Sequence, residues 1–68
     1  MTLEDYRLRL GWSIAELSRR SGVSAQTIAR AERGAAIRSH IAATLARVLS
    51  EGLGEPVSFR DFEGLKVI

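Results

Sequence analysis

Apolar positions along the chain recur at helical spacing. Near the start, Leu3, Tyr6 and Leu10 lie at i, i+3 and i+7, which predicts a helix from Leu3 to Leu10 with one apolar stripe. The same spacing returns between Ser39 and Ser50, where a second apolar stripe predicts a core helix capped by Ser39. Its members are Ile41, Ala42, Leu45, Val48 and Leu49.

Two short amphipathic helices are predicted between these segments. An S-x-x-E capping pattern at Ser13 begins the first helix, and Gly22 ends it, because glycine adopts the left-handed conformation at little cost. Ser24 caps the second helix, which runs from Ala25 to Arg33 and is closed by Gly34. Two short helices joined in this way form a helix-turn-helix, whose second helix can enter the major groove of DNA.

The second of these helices has an apolar face and a polar face. At about 100° per residue, Ile28 and Ala31 point together toward a core. The opposite side carries small and polar residues: Ala25, Gln26, Ala29, Arg30 and Arg33, flanked by Thr27 and Glu32. Glutamine can pair with adenine, arginine with guanine, and an alanine methyl can contact the thymine methyl. Gln26 and Arg30 on this side are therefore candidate base readers; the alternative is that they are solvated surface residues.

The order of these residues resembles the lambda-repressor-like helix-turn-helix family of phage repressors, Cro proteins and bacterial XRE-type regulators. Four segments carry the resemblance: Ala15-Glu16-Leu17-Ser18, Ser21-Gly22-Val23-Ser24, Thr27-Ile28-Ala29-Arg30 and Glu32-Arg33-Gly34. The resemblance extends from Leu3 to about Leu49. It implies an all-α fold, a compact bundle of about five short helices, and operator binding as a dimer.

The same resemblance implies base contacts at Ala25, Gln26 and Arg30, and it assigns further roles. Ser13 and Ile14, at the start of the first motif helix, would contact DNA phosphates. Arg7 would pair with Glu32 and so tie the opening helix to the recognition helix. Such a partly buried pair serves orientation more than net stability.

The segment after the recognition helix supplies the remaining phosphate candidates. Ala35 to Arg38 is predicted to be a loop that lies along the DNA backbone in this architecture. Arg38 is the strongest phosphate contact there, with Thr27 and Arg33 on the helix and His40 beyond the loop. His40 is the chain's single histidine, so no metal site and no catalytic role are expected for it.

Charge is distributed unevenly along the chain. Through Leu49 eight arginines face four carboxylates, a net +4, whereas from Ser50 onward two cations face four carboxylates, a net −2. The basic part is the part with the motif, which favours a nucleic-acid partner. The chain has no cysteine, which excludes disulfides and thiolate chemistry. It also lacks an apolar run of about twenty residues, so we expect no membrane span. The absence of cysteine suits a reducing environment, and we expect a cytoplasmic location. No cofactor is expected.

The last eighteen residues follow a different pattern. Gly52, Gly54 and Pro56 interrupt the helical spacing, which places a boundary between a helix-turn-helix core over residues 1–50 and an extension over residues 51–68. A second capping pattern, at Ser58, predicts a helical turn from Phe59 to Glu63.

The final residues alternate in the manner of a short strand. Leu65, Val67 and Ile68 are apolar around a lysine, and burying such an apolar end removes it from water at a gain in free energy. One hypothesis is that this segment packs against a second copy and forms part of a homodimer interface. The alternative is that it folds back on its own domain.

These patterns favour a sequence-specific double-stranded DNA-binding transcriptional regulator. The alternative function is a protein-interaction module on the same fold, such as an antitoxin, a co-activator bridge or a phage accessory factor, whose extension holds a protein partner. An enzyme is not expected, because the sequence offers no nucleophile with a base and no phosphate-cradling glycine loop.

Overall fold

The computed structural model describes residues 1–68, and it contains four α-helices, one 3₁₀ turn and a two-stranded sheet. The bounds are α1 Leu3–Arg9, α2 Ile14–Ser21, α3 Ala25–Glu32, β1 Ala36–Ile37, α4 Ser39–Leu53, the 3₁₀ turn Phe59–Asp61 and β2 Lys66–Val67. This confirms the mostly helical bundle. The fifth helical element is a single 3₁₀ turn rather than an α-helix.

Local caps set the ends of the two motif helices. The Ser13 hydroxyl accepts a hydrogen bond from the Glu16 backbone N–H at 3.0 Å, and Gly22 ends α2 with φ at +76°. The Ser24 hydroxyl accepts from the Thr27 backbone N–H at 3.1 Å. The capping pattern at Ser13 is only half formed, because the Glu16 carboxylate pairs with two arginines of α2 instead of returning to the Ser13 backbone.

Helix α4 differs from its prediction at both ends. Ser39 is the first helical residue rather than the cap, and Arg38 occupies the cap position without a side-chain capping bond. The helix continues to Leu53, three residues past its predicted end, with Gly52 inside it. A Cβ at Gly52 would lie 2.7 Å from Cη2 of Trp12. Gly52 therefore makes room for an indole ring and does not end the helix.

One hydrophobic core joins all four helices. Eleven apolar residues are buried in it: Leu3, Leu17, Ile28, Ala31, Ile37, Ala42, Leu45, Ala46, Val48, Leu49 and Phe62. Trp12 is half-buried and packs against this cluster. Residues from the opening helix and from residues 51–68 thus share a single core with the motif.

The extension folds back on its own chain through an aromatic contact. Phe62 is 4 % exposed, and its ring meets Tyr6 of α1 edge to face, with 5.4 Å between ring centroids. Aromatic pairs favour this geometry, because the positive edge of one ring faces the negative face of the other.

The extension also adds a strand beside the loop that follows α3. Strand β2 pairs in parallel with β1, with Ala36 opposite Lys66 and Ile37 opposite Val67. The prediction that residues 35–38 form an irregular loop is therefore wrong, since β1 lies within them. The last residues therefore fold back on their own domain, which is the alternative to packing against a second copy.

None of the four helices combines the length and apolarity that crossing a bilayer requires.

Candidate nucleic-acid interface

Helix α3 presents the face that its sequence pattern predicts. Ile28 and Ala31 are buried in the core, at 0 % and 4 % exposure. Ala25, Gln26 and Arg30 are exposed on the other side of the helix. The amide and the guanidinium are therefore free to meet a ligand in solvent.

The joint between α2 and α3 is fixed by hydrogen bonds in addition to the glycine conformation. The Ser21 hydroxyl donates to the Leu17 carbonyl at 2.7 Å and accepts from the Val23 backbone N–H at 3.1 Å. The Gly22 N–H donates to the Ser18 carbonyl at 2.9 Å. These bonds satisfy polar groups at a helix end and hold α3 at a defined angle to α2.

A buried ion pair fixes the far end of α3. Arg7 Nε donates to Glu32 Oε2 at 2.8 Å, and Arg7 Nη2 donates to Glu32 Oε1 at 3.0 Å. Arg7 Nη1 also donates to the Trp12 carbonyl at 2.9 Å, and both charged side chains are only 8 % exposed. The hydrogen bonds to Glu32 raise the pKa of Arg7 above its ordinary value, despite the opposing effect of burial. This confirms the pair that the family resemblance implied, and it anchors α3 to α1.

The arginines of the chain divide into paired and unpaired sets. Five of them form salt bridges to carboxylates: Arg7, Arg9, Arg19, Arg20 and Arg47. Arg30, Arg33 and Arg38 have no carboxylate within salt-bridge distance, and all three lie on α3 or shortly after it. Arg60 and Lys66, in the extension, are also unpaired. The chain therefore concentrates uncompensated positive charge around α3, where a polyanion could neutralise it.

Three of the predicted contact residues meet in one groove. Thr27 and Arg30 from α3 face Arg38 across a cavity of about 380 Å³, whose remaining lining is mainly apolar: Ala36, Ile37, Ile41 and Ile68. The Arg38 guanidinium beside these aliphatic side chains suits a sugar–phosphate backbone, which presents anionic oxygens and apolar sugar carbons alternately.

The other predicted phosphate contacts lie outside this groove. Arg33 lines a different depression, which Glu4, Glu32 and Glu63 also line. Ser13 and Ile14 lie at the start of α2, where helical N–H groups favour an anion. The Ser13 hydroxyl is already engaged in capping, so any contact there would use the backbone.

Sequence reasoning missed the contribution of the extension to this surface. Ile68 lines the groove, and Lys66 lies in the strand next to it. No local signal identifies these residues, because strand pairing joins positions thirty apart in the chain. No group of three or more histidine, aspartate or glutamate side chains is placed to hold a metal ion.

A short helix with an exposed amide and guanidinium, rigidly joined to the helix before it and surrounded by unpaired arginines, defines a helix-turn-helix DNA-binding domain. A helix-turn-helix family model matches residues 3–58, which is most of the chain. The chain therefore belongs to the Cro/C1-type helix-turn-helix family, the lambda-repressor-like group of DNA-binding regulators. Comparison with curated proteins and with solved structures gives no match.

Proposed function

We propose that this chain is a transcriptional regulator that recognises a specific double-stranded DNA sequence with α3 in the major groove. The observation that carries the proposal is the absence of carboxylate partners from Arg30, Arg33 and Arg38, whereas the arginines of α1, α2 and α4 are all paired. Cations that neutralise DNA phosphates release the counterions condensed on the DNA, and this release drives binding.

The proposed base contacts come from the first turn of α3 and from its last turn. In this proposal Gln26 reads adenine, Arg30 reads guanine, and Ala25 contacts a thymine methyl. All three are exposed and lie on one side of a helix that is fixed at both ends. A fixed helix supports specificity, because a base contact discriminates only when its geometry is held.

The proposed phosphate contacts flank this face. Arg38 and Thr27 would hold one backbone segment in the groove, and Arg33 would act at the end of α3. The backbone at Ser13 and Ile14 would hold a phosphate at the start of α2. These contacts set the register of the protein on DNA without reading sequence.

We propose that the chain binds a palindromic operator as a homodimer, with residues 51–68 providing the contact between copies. Two features support this proposal. The sheet has only two strands, so one edge of β2 has no neighbour, and the apolar Ile68 is 74 % exposed. A dimer would place two recognition helices about one helical turn of DNA apart.

Selection of bound sequences from random DNA tests the proposal most directly. We expect two half-sites in inverted repeat with centres about 10 base pairs apart. Enrichment of a single half-site would contradict the dimer, and failure to enrich any sequence would contradict sequence recognition. Capture of a protein partner with no DNA affinity would favour the interaction-module function instead.

Matched substitutions then test the individual roles. Gln26→Ala and Arg30→Ala should each relax preference at one base position, with a cost of about 1–3 kcal/mol on the specific site. Arg38→Ala should weaken binding to specific and random DNA alike and flatten the salt dependence. Equal losses on both kinds of DNA for all three variants would refute the division into base and phosphate contacts.

The dimer contact is best tested at Ile68. Deleting residues 64–68 would also remove Leu65 and Val67, which pack against the core, so loss of the dimer could reflect unfolding. Ile68→Ser changes only an exposed side chain. We expect it to raise the dimer dissociation constant in sedimentation equilibrium, and an unchanged constant would contradict a role for Ile68.

A further inference from the structure

Lys66 is the chain's only lysine, and it lies far along the sequence from the basic helix-turn-helix core. It is exposed, and no carboxylate lies within salt-bridge distance of it. The segment around it is acidic overall, with four carboxylates from residue 50 onward. Nearby acidic residues could have neutralised this cation, yet they do not.

Strand register places Lys66 on the outer face of the small sheet. Lys66 pairs with Ala36, and directly paired residues project from the same face of a sheet. Ala36 is exposed, whereas the next pair, Ile37 and Val67, is buried and half-buried on the core side. The Lys66 side chain therefore projects from the same face as Ala36.

Ala36 connects this face to the groove of unpaired arginines. It lines the same cavity as Arg30 and Arg38. Neighbouring strands lie about 4.8 Å apart, and a lysine stem can extend beyond that distance. The ammonium group of Lys66 is thus within reach of whatever occupies the groove edge.

Hydrogen bonds hold β2 in a fixed position beside Arg38. The Ile68 N–H donates to the Ile37 carbonyl at 2.9 Å, and the Ser39 N–H donates to the Ile68 carbonyl at 3.2 Å. These two bonds lie on either side of Arg38 in the sequence. The position of Lys66 relative to Arg38 is therefore set by the backbone and not by a flexible tail.

We propose that Lys66 contacts a DNA phosphate on the backbone segment that Arg38 holds, so that the C-terminal strand forms part of the DNA interface. This inference rests on the proposed function, because it needs DNA in the groove. It gives the extension a second role beside dimerisation. It also explains an unpaired cation in an acidic segment.

The salt dependence of binding tests the contact. Lys66→Ala should lower the slope of log K against log salt by about 0.9 per protomer, as expected for one lost phosphate contact. The loss of affinity should be about five- to ten-fold at 0.1 M salt on specific and random DNA alike, because a phosphate contact carries no sequence information. Lys66→Arg, which keeps the charge, should retain the wild-type salt slope and affinity.

Arg60→Ala is the matched control. Arg60 is also an exposed, unpaired cation of the extension, but it lies in the 3₁₀ turn and does not line the groove. We expect its salt slope to equal that of the wild type. Urea denaturation of each variant checks that the fold is intact. We expect unchanged stability, because both side chains are exposed.

Three results would overturn the proposal. If Arg38→Ala lowers the slope and Lys66→Ala does not, Lys66 does not contact a phosphate, and the proposed function stands. If Lys66→Ala and Arg60→Ala reduce affinity equally, the effect is one of overall charge and no contact exists. If the wild type shows no salt-dependent DNA binding, the proposed function fails and this inference fails with it.

Discussion

Helix α2 has Arg19 and Arg20 in its last turn, and α3 has Arg30 in its last turn and Arg33 at its C-cap, but the two pairs have different partners. On α2, Arg19 and Arg20 both bind the Glu16 carboxylate, and the Arg20 guanidinium lies 4.4 Å from the centroid of the Trp12 ring. On α3, Arg30 and Arg33 have no carboxylate partner. Arginines on two adjacent helices therefore differ in whether a carboxylate already neutralises their charge.

This difference shows that a count of arginines does not locate a DNA-binding surface. A guanidinium that a carboxylate already neutralises displaces fewer of the counterions condensed on DNA, so it adds less to phosphate binding than an unpaired one. Its contribution goes instead to the fold, through hydrogen bonds and stacking. The comparison predicts that paired arginines affect mainly stability and unpaired ones mainly binding.

Arg7 is the extreme case among the paired arginines, and its loss should give the largest effect. Arg7→Ala leaves Glu32 charged, buried and unpaired, which costs about 3–5 kcal/mol of unfolding free energy. A domain of this size has little more stability than that, so the variant should be largely unfolded in urea titrations followed by circular dichroism.

Arg9→Ala is the control for Arg7, because Arg9 pairs with Glu55 on the surface with both side chains more than 40 % exposed. Exposed pairs contribute about 0–1 kcal/mol, so this variant should remain folded. Similar losses for the two variants would contradict the distinction between the buried pair and the exposed one.

Arg33 and Arg19 compare an unpaired arginine with a paired one directly. Arg33→Ala should lower the salt slope of DNA binding by about 0.9 per protomer, whereas Arg19→Ala should lower it by less than half as much. Binding to random DNA over a range of salt concentrations measures both. Equal slopes for the two variants would show that pairing with Glu16 does not withdraw Arg19 from DNA.

Removing the Glu16 carboxylate should leave the arginines of α2 unpaired, as those at the end of α3 are. Glu16→Gln frees Arg19 and Arg20 from their partner, so affinity for random DNA should rise a few-fold and the salt slope should steepen. Glu51→Gln, which frees Arg47 on α4, is the matched control and should leave binding unchanged. A Glu16→Gln variant that binds random DNA no better than the wild type would contradict the electrostatic account.

The smallest expected effect is a loss of unfolding free energy in acid, and it acts through two hydrogen-bonded carboxylates. Hydrogen bonds from Arg19, then Arg20, hold the pKa of Glu16 below its ordinary value, and hydrogen bonds from Thr2 do the same for Asp5. A lowered folded-state pKa means that the stabilisation is present above the unfolded-state pKa and is lost as pH falls through the folded-state pKa.

Unfolding free energy should therefore fall as pH drops below about 4, the ordinary range for these carboxyls. Asp5→Asn and Glu16→Gln should each flatten this decline in urea titrations between pH 6 and pH 2. Curves parallel to the wild type would show that the two carboxylates do not account for the acid sensitivity.

Features set by neighbouring residues could be predicted from the sequence. The caps at Ser13 and Ser24, the left-handed Gly22 and the inward side of α3 each depend on contacts within four positions. The pair between Arg7 and Glu32 spans 25 positions, and only the family resemblance supplied it.

Features set by distant residues could not be predicted. Gly52 would normally interrupt a helix, but Trp12, forty positions earlier, occupies the space that a side chain would need. The alternation at the C-terminus indicated a short strand, but neither β1 nor its pairing with β2 could be predicted, because the paired residues lie thirty positions apart. The carboxylate partners of the arginines likewise depend on folding, so the division into paired and unpaired sets is visible only in the structure.

The parallel pairing of β1 with β2 has a consequence for synthesis. Chains emerge from the ribosome N-terminus first, so α3 and the groove arginines are made about thirty residues before the strand that completes their surroundings. A nascent chain that ends before residue 66 has its recognition helix but not the finished surface beside it. The complete surface around α3 therefore forms only after residues 66 and 67 have left the ribosome.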